Sequence, residues 1–253
     1  AIGNAADDLT LITTAGDIVG GAGAITAANL TLNAAGGIGI GAAVNTTTTG
    51  NITLTTAGNA AAGNITLVES TALNTTRVPA FTTSGTGTQV VSLTSTAGPI
   101  TLGAAIGNAA DDLTLITTAG DIVDGVAGAA FGGTVTAANL TLNAAGGIGV
   151  GANQAIGINT SGTVTLTSGG AVAGGDILVS DSGTLSLGTV TTAGASAQTV
   201  TVTSGGTMTI GGTVGNAGDA VSLTTTAGDI VGGGGSIVPA SATLNAAGGI
   251  GIG

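Results

Sequence analysis

The chain has no cysteine, histidine, tryptophan or tyrosine, only two phenylalanines and three prolines, and a single basic residue, Arg77, among 253 residues. Each shortage excludes something. Without cysteine there is no disulfide scaffold and no thiolate zinc site. With one cation and a formal net charge of −11, the chain has no electrostatic attraction to phosphate backbones, so no nucleic-acid partner is expected and anionic membrane surfaces are disfavoured. Without bulky aromatics, a thick globular core lacks its usual filling. Long hydrophobic runs are absent too. The longest apolar stretch, Ala34 to Val44, is mostly Gly and Ala and is about half the length a membrane span needs. Three prolines and irregular glycine spacing exclude collagen. A hydrophobic fraction of 43% with 5% charged residues is the opposite of a disordered composition. No signal-peptide pattern is visible, and the chain begins at Ala1 in mid-pattern, as a piece of a longer protein does.

What is present is repetition, which points to a repeat architecture. Residues 1–19, AIGNAADDLTLITTAGDIV, recur unchanged at 105–123, with a looser third copy from Gly215 to Val231. AANLTLNAAGGIGIG at 27–41 recurs with one change at 137–151 and returns in shortened form at 242–253. The chain therefore reads as one continuous array over 1–253, divided into units 1–104, 105–214 and a partial 215–253.

Inside each unit an aliphatic–Thr/Ser–aliphatic triplet recurs, as in Leu9-Thr10-Leu11, Leu30-Thr31-Leu32, Ile52-Thr53-Leu54, Leu113-Thr114-Leu115, Leu140-Thr141-Leu142 and Val164-Thr165-Leu166. Strict alternation over short segments is a strand signal, strengthened by β-branched residues that suit a pleated, half-buried surface. Glycine is too frequent for stable helices. Short strands with one apolar face must stack to bury it. The spacing predicts an all-β, right-handed parallel β-solenoid of ten to twelve rungs with essentially no helix, a rod of roughly 50 to 60 Å given strands about 4.8 Å apart. The central Thr of each triplet should point outward, and Ala34-Ala35-Gly36-Gly37 and Ala144-Ala145-Gly146-Gly147 should form tight corners. The spacing breaks near 68–90 and 124–135, where irregular coil is expected, and Arg77, Pro79, Phe81 and Phe131 fall there.

The segments LTLITTAGDI at 9–18, NLTLNAAGGIGIG at 29–41 and GNITLTT at 50–56 resemble the shaft repeats of filamentous haemagglutinin-type exoproteins and related bacterial surface adhesins. The resemblance covers most of the chain. It implies export to the cell surface or medium, an extended β-helix, and a role in attachment or fibre formation. The family's N-terminal secretion domain and an adhesive head are not seen in this sequence.

Chemistry has little to work with. Catalysis needs an acid, base, nucleophile or metal, and most such constellations cannot be built here. The pairs Asp7-Asp8 and Asp111-Asp112 are the candidates for a two-carboxylate glycosidase, but neighbours in a strand face opposite ways, and a solvated turn is the favoured reading. Asp17, Asp121 and Asp229 recur in TAGDI and could hold calcium. A turn capped by its own Asp side chain is the favoured reading. Seven Asn-x-Ser/Thr sites, at Asn29, Asn45, Asn51, Asn64, Asn74, Asn139 and Asn159, are compatible with glycosylation and also with Asn ladders. T-x-T segments such as Thr165-Leu166-Thr167 raise an ice- or glycan-binding face. No residue is assigned a catalytic, cofactor-binding or metal-binding role, and no cofactor is expected. The leading expectation is a non-catalytic extracellular fibre or adhesin shaft that associates end to end, with cell-surface or matrix glycans as a further candidate partner. A ligand-binding face is second and a carbohydrate-active enzyme third.

Overall fold

The structure is a computed structural model that describes residues 1–57, 63–75, 81–83, 87–125, 134–150, 155–169, 175–193 and 197–251. Arg77, Pro79 and Phe131 lie outside the described residues, as do 76–80, 84–86 and 126–133 of the two irregular stretches. No helix occurs among the described residues, so none could cross a membrane.

The architecture is a parallel β-solenoid of about nine turns. Its longest ladder runs through ten strands: Ala24–Ala27, Val44–Thr48, Ile65–Glu69, Val90–Ser95, Asp112–Thr117, Leu140–Ala144, Thr163–Ser168, Leu185–Thr192, Met208–Ile210 and Ile230–Gly232. A second ladder joins seven strands, from Ile106–Gly107 to Ser241–Ala246. A third joins four, Leu9–Thr13, Leu30–Ala34, Ile52–Thr56 and Thr82–Thr83, and a fourth joins Leu73–Asn74, Ile100–Leu102 and Ile122–Asp124. The ladders cross the repeat boundaries, as where Leu113 pairs with Val91 and Val221 with Val200.

Rung length explains why nine turns suffice where ten to twelve were expected. Paired residues are 21 apart at Ile25 and Thr46 but 27 apart at Leu113 and Leu140. The long rungs span the breaks seen in the sequence, and the ladder pairs across both of them, Ile65 with Val91 and Leu113 with Leu140.

Alternation decides which side chains enter the rod. Leu30, Ile52, Leu54, Val91, Leu93, Leu113, Leu115, Leu140, Leu142, Val164 and Leu166 are all buried to 2% exposure or less. They stack like on like, for example Leu93, Leu115, Leu142 and Leu166. Each such side chain contributes about 1.5–3 kcal/mol by leaving water. The central Thr residues face outward as expected and also stack in register, Thr10 on Thr31 on Thr53 and Thr114 on Thr141 on Thr165. Phe81 is drawn into the core.

The three copies of one motif do not share one side of the rod. Leu9–Thr13 lies in the four-stranded ladder, the identical Leu113–Thr117 in the ten-stranded one, and Ala220–Thr225 in the seven-stranded one. The cause is visible at Ile52-Thr53-Leu54 and Ile65-Thr66-Leu67, which are only 13 residues apart. That is roughly half a turn of this coil, so the second triplet arrives on a different side, where Ile65 pairs with Val91. Every side asks only for apolar-in, Thr-out strands, so the motif fits any of them.

Candidate functional site: the acidic corners

The carboxylates are the only abundant ionisable groups, so the candidate chemistry is decided by where they sit. They cluster at rung corners and at strand ends, and many accept hydrogen bonds from backbone or side-chain donors of a neighbouring rung.

In the TAGDI corners, Asp17 Oδ1 accepts the Gly37 N–H at 2.7 Å, Asp121 Oδ1 that of Gly147 at 2.8 Å, and Asp229 Oδ1 that of Gly249 at 2.6 Å. The donor is in the next rung, not in the Asp residue's own turn as the sequence suggested. The preceding glycine makes room: a Cβ on Gly36, Gly146 or Gly248 would lie 2.1, 1.9 or 2.1 Å from that carboxylate oxygen. The two recurrent motifs, TAGDI and NAAGGIG, are therefore the two halves of one contact. The contact survives an insertion, since it spans 20 residues in the first and third copies and 26 in the second.

The Asp7-Asp8 and Asp111-Asp112 pairs split. Asp8 accepts from Asn29 Nδ2 at 2.8 Å, and Asn29 Oδ1 accepts the Asn51 N–H at 2.8 Å. Asp112, Asn139 and Thr163 N repeat this relay at 2.8 Å and 2.8 Å. The first Asp of each pair turns the other way. Asp111 is buried, with the Gln89 N–H at 3.1 Å, Asn108 Nδ2 at 2.6 Å and the Thr83 hydroxyl against it. Asp219, its counterpart in the third copy, accepts from Gln198 N at 3.2 Å, Asn216 N at 3.0 Å and the Thr192 hydroxyl at 2.5 Å. This corner opens with a glycine at positive φ, 90° at Gly107, whose added Cβ would come 2.1 Å from the Thr136 carbonyl oxygen. A solvated turn describes Asp7 and Asp8, but Asp111 is not solvated. Two carboxylates facing each other across a substrate groove are not formed by either pair.

A set of buried polar groups escaped the sequence reading altogether. Glu69, fully buried, accepts the N–H groups of Thr48 and Thr71 at 3.0 and 3.1 Å. The hydroxyls of Thr46, Thr48 and Thr71 lie 2.8, 2.6 and 2.9 Å from its carboxyl oxygens. The last Thr or Ser of many strands also points inward. Thr13, Thr225 and Ser95 donate to the carbonyls of Gly16, Gly228 and Gly98 at 2.9 Å each, closing the turn from inside. The signal was available in the T-T-A-G sequence, where the first Thr takes an apolar place in the alternation.

Asp181 is buried at the end of Ile177–Asp181, held by Gly183 N at 2.7 Å, Thr160 N at 3.3 Å and the Thr160 hydroxyl at 3.1 Å. Burial pushes its carboxyl above the ordinary Asp value, against the lowering by these hydrogen bonds. A folded-state pKa raised above the unfolded one stabilises the fold fully at acid pH, and that contribution is lost as pH rises through the folded value. Asp181→Asn is neutral at every pH. Its melting temperature should therefore gain on the wild type as the buffer goes from about pH 3 to about pH 7, across the carboxylate range. A difference that stays constant over that range contradicts this role for burial.

Among the described residues no group of three or more His, Cys, Asp or Glu side chains is placed to hold a metal ion. A cavity of about 370 Å³ beside Gly149, Asp176, Leu178 and Thr201 contains one carboxylate, and Asp176 Oδ1 already accepts the Thr199 N–H at 2.7 Å. Of the glycosylation candidates, Asn29 and Asn139 spend their side chains in the corner relays, and Asn64 Oδ1 accepts the Val90 N–H at 2.8 Å. On the ten-stranded face one column reads Thr66, Ser92, Thr114, Thr141, Thr165, while the column beside it reads Val68, Thr94, Ile116, Asn143, Thr167. Paired T-x-T rows thus occur on Thr165–Thr167 but not on every rung. No protein-family model, curated protein or solved structure matches this chain.

Proposed function

We propose that the chain is a length of non-catalytic shaft from an extracellular or cell-surface bacterial fibre of the filamentous haemagglutinin type. One observation carries this reading: the carboxylates that would serve catalysis or metal binding are spent as rung-to-rung fasteners, Asp17, Asp121 and Asp229 on the following rung and Asp111 and Asp219 beneath the preceding one. Acid side chains used this way tie neighbouring rungs together and stiffen a coil. The motif resemblance supports the family and the location. Parallel ladders have open ends by nature, so further repeats or further copies extend the rod end to end.

Imaging of the parent protein on its native cells tests the proposal. A thin, uniform fibre outside the cell, lengthening as repeat units are added, is the expected result. A compact particle confined to the cell interior overturns it.

A further inference from the structure

We infer that Glu69 and Asp181 are register pins: each fixes a joint where two stretches of one rung merge onto a single strand of the next, and each joint founds the ladder that carries the next copy of the repeat. The two joints are built alike. At the first, Ile38 and Val44 lie six residues apart in one rung yet pair with Ile65 and Leu67, two residues apart in the next. At the second, Ile148 and Ile156 pair in the same way with Ile177 and Val179. The recurrent NAAGGIG segment prepares the merger. Its isoleucine, Ile38 or Ile148, is fully buried, and the glycine after it has a φ of 75° at Gly39 and 65° at Gly149, which turns the chain off the ladder. A Cβ on Gly39 would come 2.2 Å from the Thr66 carbonyl oxygen of the merging strand. Each merging strand ends in a buried acid whose backbone donors stand at the same offsets. Thr48 and Thr160 lie 21 residues before Glu69 and Asp181, and Thr71 and Gly183 lie 2 residues after them.

Hydrophobic burial alone leaves the register open. A slip of one residue turns a strand inside out, but a slip of two keeps every apolar side chain inward. Slipped by two, Ile65–Glu69 would pair with Val44–Thr48 along its whole length, Ile65 on Val44, instead of dividing itself between Ile38 and Val44 to Thr46. That slip would carry Glu69 away from the Thr46 hydroxyl, which lies 2.8 Å from its carboxyl. A buried acid is satisfied only where its donors converge, so it selects one register where the aliphatic residues accept two. The position of the next repeat rides on that selection. Ile65 carries Val91 and then Leu113 of the second motif copy, and Ile177 carries Val200 and then Val221 of the third. Leu9 of the first copy lies instead on the ladder of Leu30 and Ile52. The joints therefore decide which way the outward Thr row of each copy faces, a property of the coil that does not depend on the fibre reading.

Disulfide trapping tests the pin, because the chain has no cysteine of its own. Asn45→Cys with Val68→Cys reports the observed register, in which the two residues are partners. Asn45→Cys with Thr66→Cys reports the slipped one. Partners across a parallel pair lie about 4.8 Å apart, and a two-residue offset of about 6.6 Å along the strand takes the second pair to about 8 Å. That is beyond the roughly 7 Å limit for a disulfide. With Glu69 in place, only the first pair should close on mild oxidation, read as loss of free thiol in the monomer. With Glu69→Val the second pair should close as well, and the first should lose yield. Glu69→Gln, which can still accept both N–H groups, should keep the observed register. Should Glu69→Val fail to give the wild-type circular dichroism spectrum, Glu69→Ser replaces it, since Ser95 holds the same inward position in the next rung. Closure of the second pair beside native Glu69, an unchanged register in the folded Val or Ser variant, or equal slippage in the Gln variant overturns the proposal. Unfolding of both the Val and Ser variants overturns it too, since Glu69 would then hold the fold and not the register.

Discussion

Replacing Glu69 by alanine should destabilise the rod by about 3–5 kcal/mol, because it strands the buried Thr48 N–H and the half-buried Thr71 N–H at about 1–3 kcal/mol each and removes the acceptor for the buried Thr46 and Thr48 hydroxyls. The donors are those of Thr48 and Thr71, on the rungs that Glu69 joins. Glu69→Gln separates shape from charge. Its carbonyl oxygen can still accept both N–H groups, and its amide can donate to the Thr46 and Thr48 hydroxyls if they turn to accept. The glutamine variant should therefore lose only about 1 kcal/mol, the value of one imperfect hydrogen bond. Hydrogen exchange is the suitable readout, since stability in a stacked coil is a sum of rung and neighbour terms and local opening precedes global unfolding. Faster exchange centred on Val44–Thr48 and Ile65–Glu69 is expected. Equal losses in the alanine and glutamine variants would show that the hydrogen bonds are not the source of the stability.

Leu142→Ala should cost about 2–5 kcal/mol through lost burial and a residual cavity, while Thr141→Ala next to it should change stability by less than about 0.5 kcal/mol. Leu142 is fully buried between Leu115 and Leu166, whereas Thr141 is on the outer face between Thr114 and Thr165. One residue of sequence separates the two environments because side chains in a strand alternate with a period of two. The cavity cannot collapse easily, since the rungs above and below are held at strand spacing by their own hydrogen bonds. The comparison is made by denaturant melts of both variants. Comparable losses at the two positions would mean that the register of Leu140–Ala144 is not the one described.

The acidic groups show how far sequence reasoning reached the site. It placed Asp17, Asp121 and Asp229 in turns capped by their own side chains, whereas their donors are Gly37, Gly147 and Gly249 of the next rung. It did not connect Asp121 with Gly146 and Gly147, because 26 residues separate donor from acceptor and only the closed coil brings them together. Glu69 gave no signal as a lone acid at the end of an aliphatic run. Its burial becomes tolerable only when Thr46, Thr48 and Thr71 converge on it from separate segments. The inward Thr13 and Ser95 were legible in principle, since they hold apolar places in the alternation, but a hydroxyl there requires the Gly16 and Gly98 carbonyls to be within reach.

By itself, the sequence determined that this chain forms short strands with Leu, Ile and Val inside and Thr outside, turned by small residues and stacked into a parallel coil. Those properties depend on alternation and glycine placement, which act within a few residues. The tertiary structure alone decided which ladder each copy of LTLIT joins, how long each rung is, and which donor each corner carboxylate meets. These depend on closing loops of 20 to 29 residues, where a spacing of 13 between Ile52 and Ile65 moves a strand to another side without changing anything local.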